Sequence, residues 1–130
     1  MEIFRHFDKQ PFECVMTVGN YDGIHLGHQA LINHVIKYAK KERYHSAVMT
    51  FEPHPREFFD SISAPTRIIS LREKLEFFES MGINRVHVIR FDTNFAKITA
   101  SEFINILKNN LNVKRLVLGK DLRFGQNREG

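Results

Sequence analysis

Apolar and polar positions along the chain follow two alternating periods. Residues 13–19, ECVMTVG, form a continuous apolar, partly β-branched run that closes on GNYDG, a cluster of turn formers. Such a run reads as a strand buried on both faces and ending in a tight loop. From 26 to 44 the apolar positions Leu31, Ile32, Val35, Ile36 and Ala39 recur at helical spacing, with Lys37, Lys40, Lys41 and Glu42 between them. That spacing predicts an amphipathic helix. SAVMTF at 46–51 repeats the buried-strand pattern and is stopped by the two prolines of EPHPREFF. The alternation then recurs. LREKLEFFESMG at 71–82 predicts a helix stopped by glycine, and RVHVIRF at 85–91 a strand. TASEFINILKNNL at 99–111 predicts a helix opened by a capping box, and RLVLG at 115–119 a strand. Strands that alternate with helices imply βαβ units with right-handed crossovers, hence an α/β fold with a mostly parallel sheet flanked by helices. The longest predicted loop is 60–70, and no internal repeat or low-complexity tract interrupts the chain.

The chain has 130 residues, a length suited to one domain with one core, and its 42% hydrophobic content argues against disorder. One cysteine excludes an internal disulfide framework and a four-cysteine zinc module, and fits a reducing cytoplasm. The first ten residues, MEIFRHFDKQ, alternate charged and aromatic side chains without an apolar core, and nowhere do 18 apolar residues run together. No signal peptide or membrane span is predicted. The formal charge of +4 is spread along the chain, with KYAKKER at 37–43 as its one dense run. This balance favours anionic partners without naming one. A nucleic-acid-binding module is the rival reading from charge, but no RRM-like aromatic strand motif, zinc finger or dense basic helix face supports it.

Candidate chemistry concentrates at the first strand-to-helix turn, GNYDGIHLGHQ. In a doubly wound sheet, ligands sit at the carboxyl ends of strands, where a helix start presents free amides and a positive dipole end. Gly19 and Gly23 allow a sharp turn, and Gly27 removes a side chain where a phosphate would approach the helix. His25 and His28 stand three apart, so at a helix start they share a face and can donate to one phosphate group. Their His-x-Gly-His pattern is expected by chance roughly 0.02 times in this composition. The bland alternative is a loop histidine pair beside a turn. Asn20 and Asp22 either form the turn or help hold a hydrated magnesium.

This arrangement resembles the nucleotidyltransferase superfamily, in which the signature histidines bind a nucleoside triphosphate. Five ordered blocks narrow the resemblance: GNYDGIHLGHQALI, TFEPHPREFF, LREK, FAKITASEFI and LGKDLRFGQNREG. Together they are similar to the adenylyltransferase module of the bacterial bifunctional riboflavin kinase/FMN adenylyltransferase (FAD synthetase) family, over nearly the whole chain. The resemblance implies a Rossmann-like nucleotidyltransferase fold and transfer of AMP from ATP to FMN, giving FAD and pyrophosphate with magnesium present. It also implies catalytic roles for His25 and His28, and an ATP site formed by Gly19, Asn20, Tyr21, Asp22, Gly27 and Arg128. FMN brings an anionic phosphate nucleophile, so alignment and charge stabilisation suffice.

The flavin is assigned to two further turns. Pro53 and Pro55 stiffen the loop after the second predicted strand, leaving His54, Phe58 and Phe59 at its mouth, where an aromatic face suits an isoalloxazine ring. By resemblance Pro53, Pro55 and Phe59 line the flavin pocket; the competing reading makes Phe58 and Phe59 core. After Gly119, Asp121 and Phe124 match the family's polar and aromatic members, with Arg123 and Arg128 placed for phosphates and Leu122 departing from its usual phenylalanine. A charged surface turn is the alternative there. Cys14 reads as a small buried hydrophobe with no basic neighbour, and His34, His45 and His87 as structural or solvated. A zinc site from His25, His28 and His54 lacks a convincing fourth ligand.

Family members continue past this point, so 1–130 is expected to be an adenylyltransferase domain lacking its C-terminal part and a covalently linked riboflavin kinase domain. Two other readings stay open: a nucleotidyltransferase with a different phosphate-bearing acceptor, and a non-catalytic nucleotide or flavin binder. Small molecules, not nucleic acid or membrane, are the expected partners. Oligomeric state and metal ligands are not specified by the sequence.

Overall fold

A computed structural model describes residues 1–21, 26–52 and 70–119. Its five strands are β1 (Glu2–Phe4), β2 (Cys14–Val18), β3 (His45–Glu52), β4 (Arg85–Arg90) and β5 (Val113–Leu118). Its described helices are α1 (Leu26–Glu42), α2 (Leu71–Met81), the single turn α3 (Thr93–Ala96) and α4 (Ala100–Asn109). The strands form one sheet in the order β1-β4-β3-β2-β5, and every pairing is parallel. The α/β expectation therefore holds.

Three helix boundaries have their physical cause in view. Ser70 accepts from the Glu73 amide at 3.2 Å while the Glu73 carboxylate accepts from the Ser70 amide at 3.2 Å, and Thr99 and Glu102 repeat this box at the start of α4. Gly82 ends α2 at φ 99°, in the left-handed region that a glycine enters without strain.

Helices cover both faces of the sheet, which is why β2 is buried at all five positions. On one face Ile32 and Val35 of α1, Phe78 of α2 and Tyr21 from the turn before α1 pack against Val15, Val48, Val86 and Val88. On the other, Phe103 and Leu107 of α4 pack with Met16, Val18, Met49, Phe51 and Ile89.

Besides the unpredicted single turn α3, three features depart from the sequence reading. The first is β1, which pairs with β4 from Glu2↔Arg85 to Phe4↔His87. As a three-residue edge strand with Glu2 and Ile3 exposed, it carries no periodic signal. The second is the start of β5, two residues earlier than predicted, because the ladder with β2 begins at Cys14↔Val113 before a register shift. The third corrects Cys14. It does have a basic neighbour: the Arg85 guanidinium, itself buried, donates from Nη2 to Cys14 Sγ at 3.0 Å and from Nη1 to the Phe12 carbonyl at 3.1 Å. Burial outweighs that charge, and the thiol is pushed up to about 11. His87 is fully buried, stacked on Phe4 at 5.2 Å between ring centroids, with neither ring nitrogen hydrogen-bonded. Burial first, then the Arg85 charge, lowers it to about 4.

Candidate functional site

The chain crosses from β2 through α1 to β3 and through α2 to β4 in one direction, then returns past β2 to lay down β5. The order therefore reverses between β2 and β5, and a crevice opens at the carboxyl ends of such a pair. Gly19 leaves β2 at that point, and Gly119 leaves β5, whose last paired residue Leu118 lies opposite Val18. The β3 strand runs alongside, so the segment that begins at residue 53 also starts from this edge.

The turn after β2 is built by close packing. The Gly19 amide donates to the Met49 carbonyl at 3.0 Å, tying the turn to β3. A Cβ on Gly19 would lie 2.9 Å from the Tyr21 ring, so glycine is required by the approach of that ring; its backbone is not in the left-handed region. Tyr21 takes that conformation instead, at φ 50°, uncommon for a bulky residue and a local source of strain. Three contacts hold it there. Its hydroxyl shares a 2.8 Å hydrogen bond with Thr17 Oγ1, its ring meets Phe78 of α2 edge-on at 5.3 Å, and it meets the His28 ring edge-on at 5.0 Å. Tyr21 is 5% exposed, and burial raises its hydroxyl to about 12, so it stays protonated and anchors the turn from below.

His28 is the third residue of α1 and is half-buried. The first turn of α1 carries no acidic side chain, while Lys40 and Lys41 occupy the last, so the positive end of the helix dipole is left for an external anion. Gly27, exposed in that first turn, has no atom of the described residues outside its own helix backbone and chain neighbours within 4 Å of the place a Cβ would take.

Beneath the turn lies a residue that the sequence reading passed over except as part of the LREK block. Lys74, on α2, is 3% exposed, and its Nζ donates to the Asn20 carbonyl at 2.6 Å and to Thr50 Oγ1 at 3.0 Å. Thr50 donates to the same carbonyl at 3.0 Å. A signal was available: Lys74 stands on the stripe Leu71, Leu75, Phe78 at helical spacing, where an apolar side chain is expected. The Asn20 Oδ1 is buried without a hydrogen-bond partner.

Of the residues proposed from sequence, Gly19, Asn20, Tyr21, Gly27 and His28 are thus brought together at one strand-to-helix turn. Asp22, His25, Pro53, His54, Pro55, Phe59, Asp121, Arg123, Phe124 and Arg128 lie outside the described residues. Among the described residues no group of three or more histidine, cysteine or carboxylate side chains gathers as for a metal ion.

A family profile for FAD synthetase matches residues 7–130. Over 118 residues the chain is 45% identical to the bifunctional riboflavin kinase/FMN adenylyltransferase of Escherichia coli K12 and 42% identical to that of Haemophilus influenzae. Each match covers 90% of this chain and 38% of the relative, so the chain spans well under half the length of these proteins. A crystal structure titled as a macrolide-efflux protein from Streptococcus pneumoniae superposes with a TM-score of 0.79 at 26% identity, covering 99% of this chain and 44% of that one. Among the described residues no helix is long and apolar enough to cross a membrane.

Proposed function

The chain belongs to the FAD synthetase family, and from that membership we propose that it transfers AMP from ATP to FMN, with residues 1–130 acting as one adenylyltransferase domain in the cytoplasm. An oxygen of the FMN phosphate attacks the α-phosphorus of ATP in line. The bond from that phosphorus to the bridging oxygen breaks, and pyrophosphate leaves with the negative charge. The proposal credits this chain with the transfer step alone.

The observation that carries the reading is the start of α1. Gly27 puts no side chain over it, its first turn carries no acidic side chain, and the His28 ring there meets the Tyr21 ring edge-on. Helix-start amides and a positive helix end bind the triphosphate, and an imidazole donor on the same turn stabilises charge that builds on the phosphorus and the leaving group. His25 is proposed as the second donor, and Arg128 as a cation on the phosphates. Pro53, His54, Pro55, Phe59, Asp121, Arg123 and Phe124 are proposed as the flavin side. The chain leaves β3 and β5 for those segments on the same sheet edge as the turn.

Magnesium fits the oxygen-rich turn. Asn20 Oδ1, buried and unpartnered, and the neighbouring Asp22 are the groups that would hold it. When bound it neutralises part of the triphosphate charge. Asn20 also keeps the turn in register through its carbonyl, which two donors fix.

Incubation with ATP, FMN and magnesium, followed by separation of flavins and a pyrophosphate assay, tests the proposal. FAD and pyrophosphate should appear in equal amounts, and His28→Ala should abolish most of both. A wild-type chain that forms no FAD and leaves FMN fluorescence unchanged would overturn it.

A further inference from the structure

A buried ammonium is costly unless it is fully hydrogen-bonded, and an apolar side chain of similar volume usually serves a core at least as well. Lys74 occupies such a place. Leu71, Leu75 and Phe78 share its face of α2, and a methionine there would extend the same apolar stripe. Its ammonium instead reaches the carboxyl edge of the sheet, donating to the Asn20 carbonyl and to Thr50 Oγ1, while Thr50 donates to that same carbonyl. The three groups close a triangle under the first residues of the turn. Four residues further along α2, Phe78 meets the ring of Tyr21, and Tyr21 in turn meets His28. One face of α2 therefore grips the turn at two successive points, by its backbone at Asn20 and by its ring at Tyr21.

We propose that Lys74 is a positioning residue of the phosphate turn: its ammonium fixes the Asn20 carbonyl, and through it the strained Tyr21 and the His28 ring, in the arrangement that transfer requires. The inference rests on the adenylyl-transfer reading. Lys74 acts through the turn, so its loss leaves the donors present but misplaced, and small misplacements of aligned groups are expensive in rate. A second effect follows from charge, since a cation under the turn adds to the positive potential of the α1 start.

The test measures kcat and KM for ATP and FMN in the full chain and in Lys74→Met, Thr50→Val and the double variant, with thermal unfolding of each. Lys74→Met should lower kcat at least 30-fold while the FMN KM stays within twofold. Thr50→Val, which removes one acceptor of the ammonium, should lower kcat three- to tenfold. The double variant should be at most twofold worse than Lys74→Met, because both changes break one linkage. A folded Lys74→Met with kcat within threefold of wild type overturns the proposal, as does a double variant whose losses multiply. Where Lys74→Met fails to fold, Thr50→Val decides: unchanged kcat overturns, a fall with unchanged FMN KM supports. A wild-type chain that forms no FAD overturns the adenylyl-transfer reading itself, an outcome distinct from active wild type with an indifferent Lys74.

Discussion

Replacing Gly27 by alanine sets stability against binding. The residue sits in the first turn of α1, and among the described residues a Cβ there would meet nothing within 4 Å, so the change introduces no clash with them. Glycine inside a helix costs about 0.5–1 kcal/mol relative to alanine, and the lower end applies in a first turn. A gain of about 0.5 kcal/mol, set against an unfolding entropy of about 2 cal/mol/K per residue, raises Tm by about 2 °C. The same methyl group would occupy the space through which phosphate oxygens approach the amides of this turn to within about 2.9 Å. Loss of one such bond to an anion, worth about 1.5–3 kcal/mol, weakens ATP roughly 10–100-fold. Binding can be read without turnover. ATP at about 100 times its wild-type Kd should stabilise wild type by about 2.7 kcal/mol, near 10 °C in Tm, and a variant weakened 100-fold by about 0.4 kcal/mol. A variant with higher Tm and an unchanged ATP shift would refute the assignment of this space to phosphate. A Tm several degrees lower would refute the claim that the change introduces no clash.

His28→Ala should lower kcat for pyrophosphate release by about 10²–10³-fold, the usual effect of losing one donor to a charge-bearing transition state, and a loss under tenfold would argue against its role. Tyr21→Phe leaves the buried Thr17 hydroxyl without its 2.8 Å partner and should cost about 1–2 kcal/mol in urea unfolding; an unchanged midpoint would show that the bond contributes nothing net. Cys14, buried and raised to about 11, should resist iodoacetamide in the folded chain at pH 8 and react once unfolded, whereas rapid native labelling would contradict its burial. His87 is held at about 4 against a usual 6.5, so the unfolded chain binds its proton first as the pH falls. Its contribution is therefore complete above pH 6.5 and lost progressively towards pH 4, by up to about 3 kcal/mol, and His87→Leu should flatten that stretch of the stability profile.

What could be read ahead of the structure depended on whether the cause was local. The buried runs of β2 and β3, the capping box at Thr99 and the left-handed stop at Gly82 each lie within a few consecutive residues, and each is where the pattern put it; the box at Ser70 is equally local but was not read. The placement of Gly19, Gly27 and His28 between β2 and α1 was legible for the same reason, since they are close in sequence to the strand that precedes them. Non-local causes were not legible. Arg85 meets Cys14 only because β4 and β2 lie in one sheet, and β1 exists only because β4 offers it an edge. Gly19 was expected to turn the backbone; its requirement comes from a ring two residues later that folds back over it.

Lys74 shows how such a miss becomes informative. A charged residue on an apolar stripe contradicts the local rule, and natural sequences keep such contradictions mainly where function or strain needs them. Here two local violations meet: a bulky residue in the left-handed region at Tyr21 and a buried cation at Lys74. They are joined through adjacent backbone at Asn20 and through one face of α2. Each alone would be a cost without an evident return. Together they hold a half-buried imidazole at the start of α1, where the proposed triphosphate site lies.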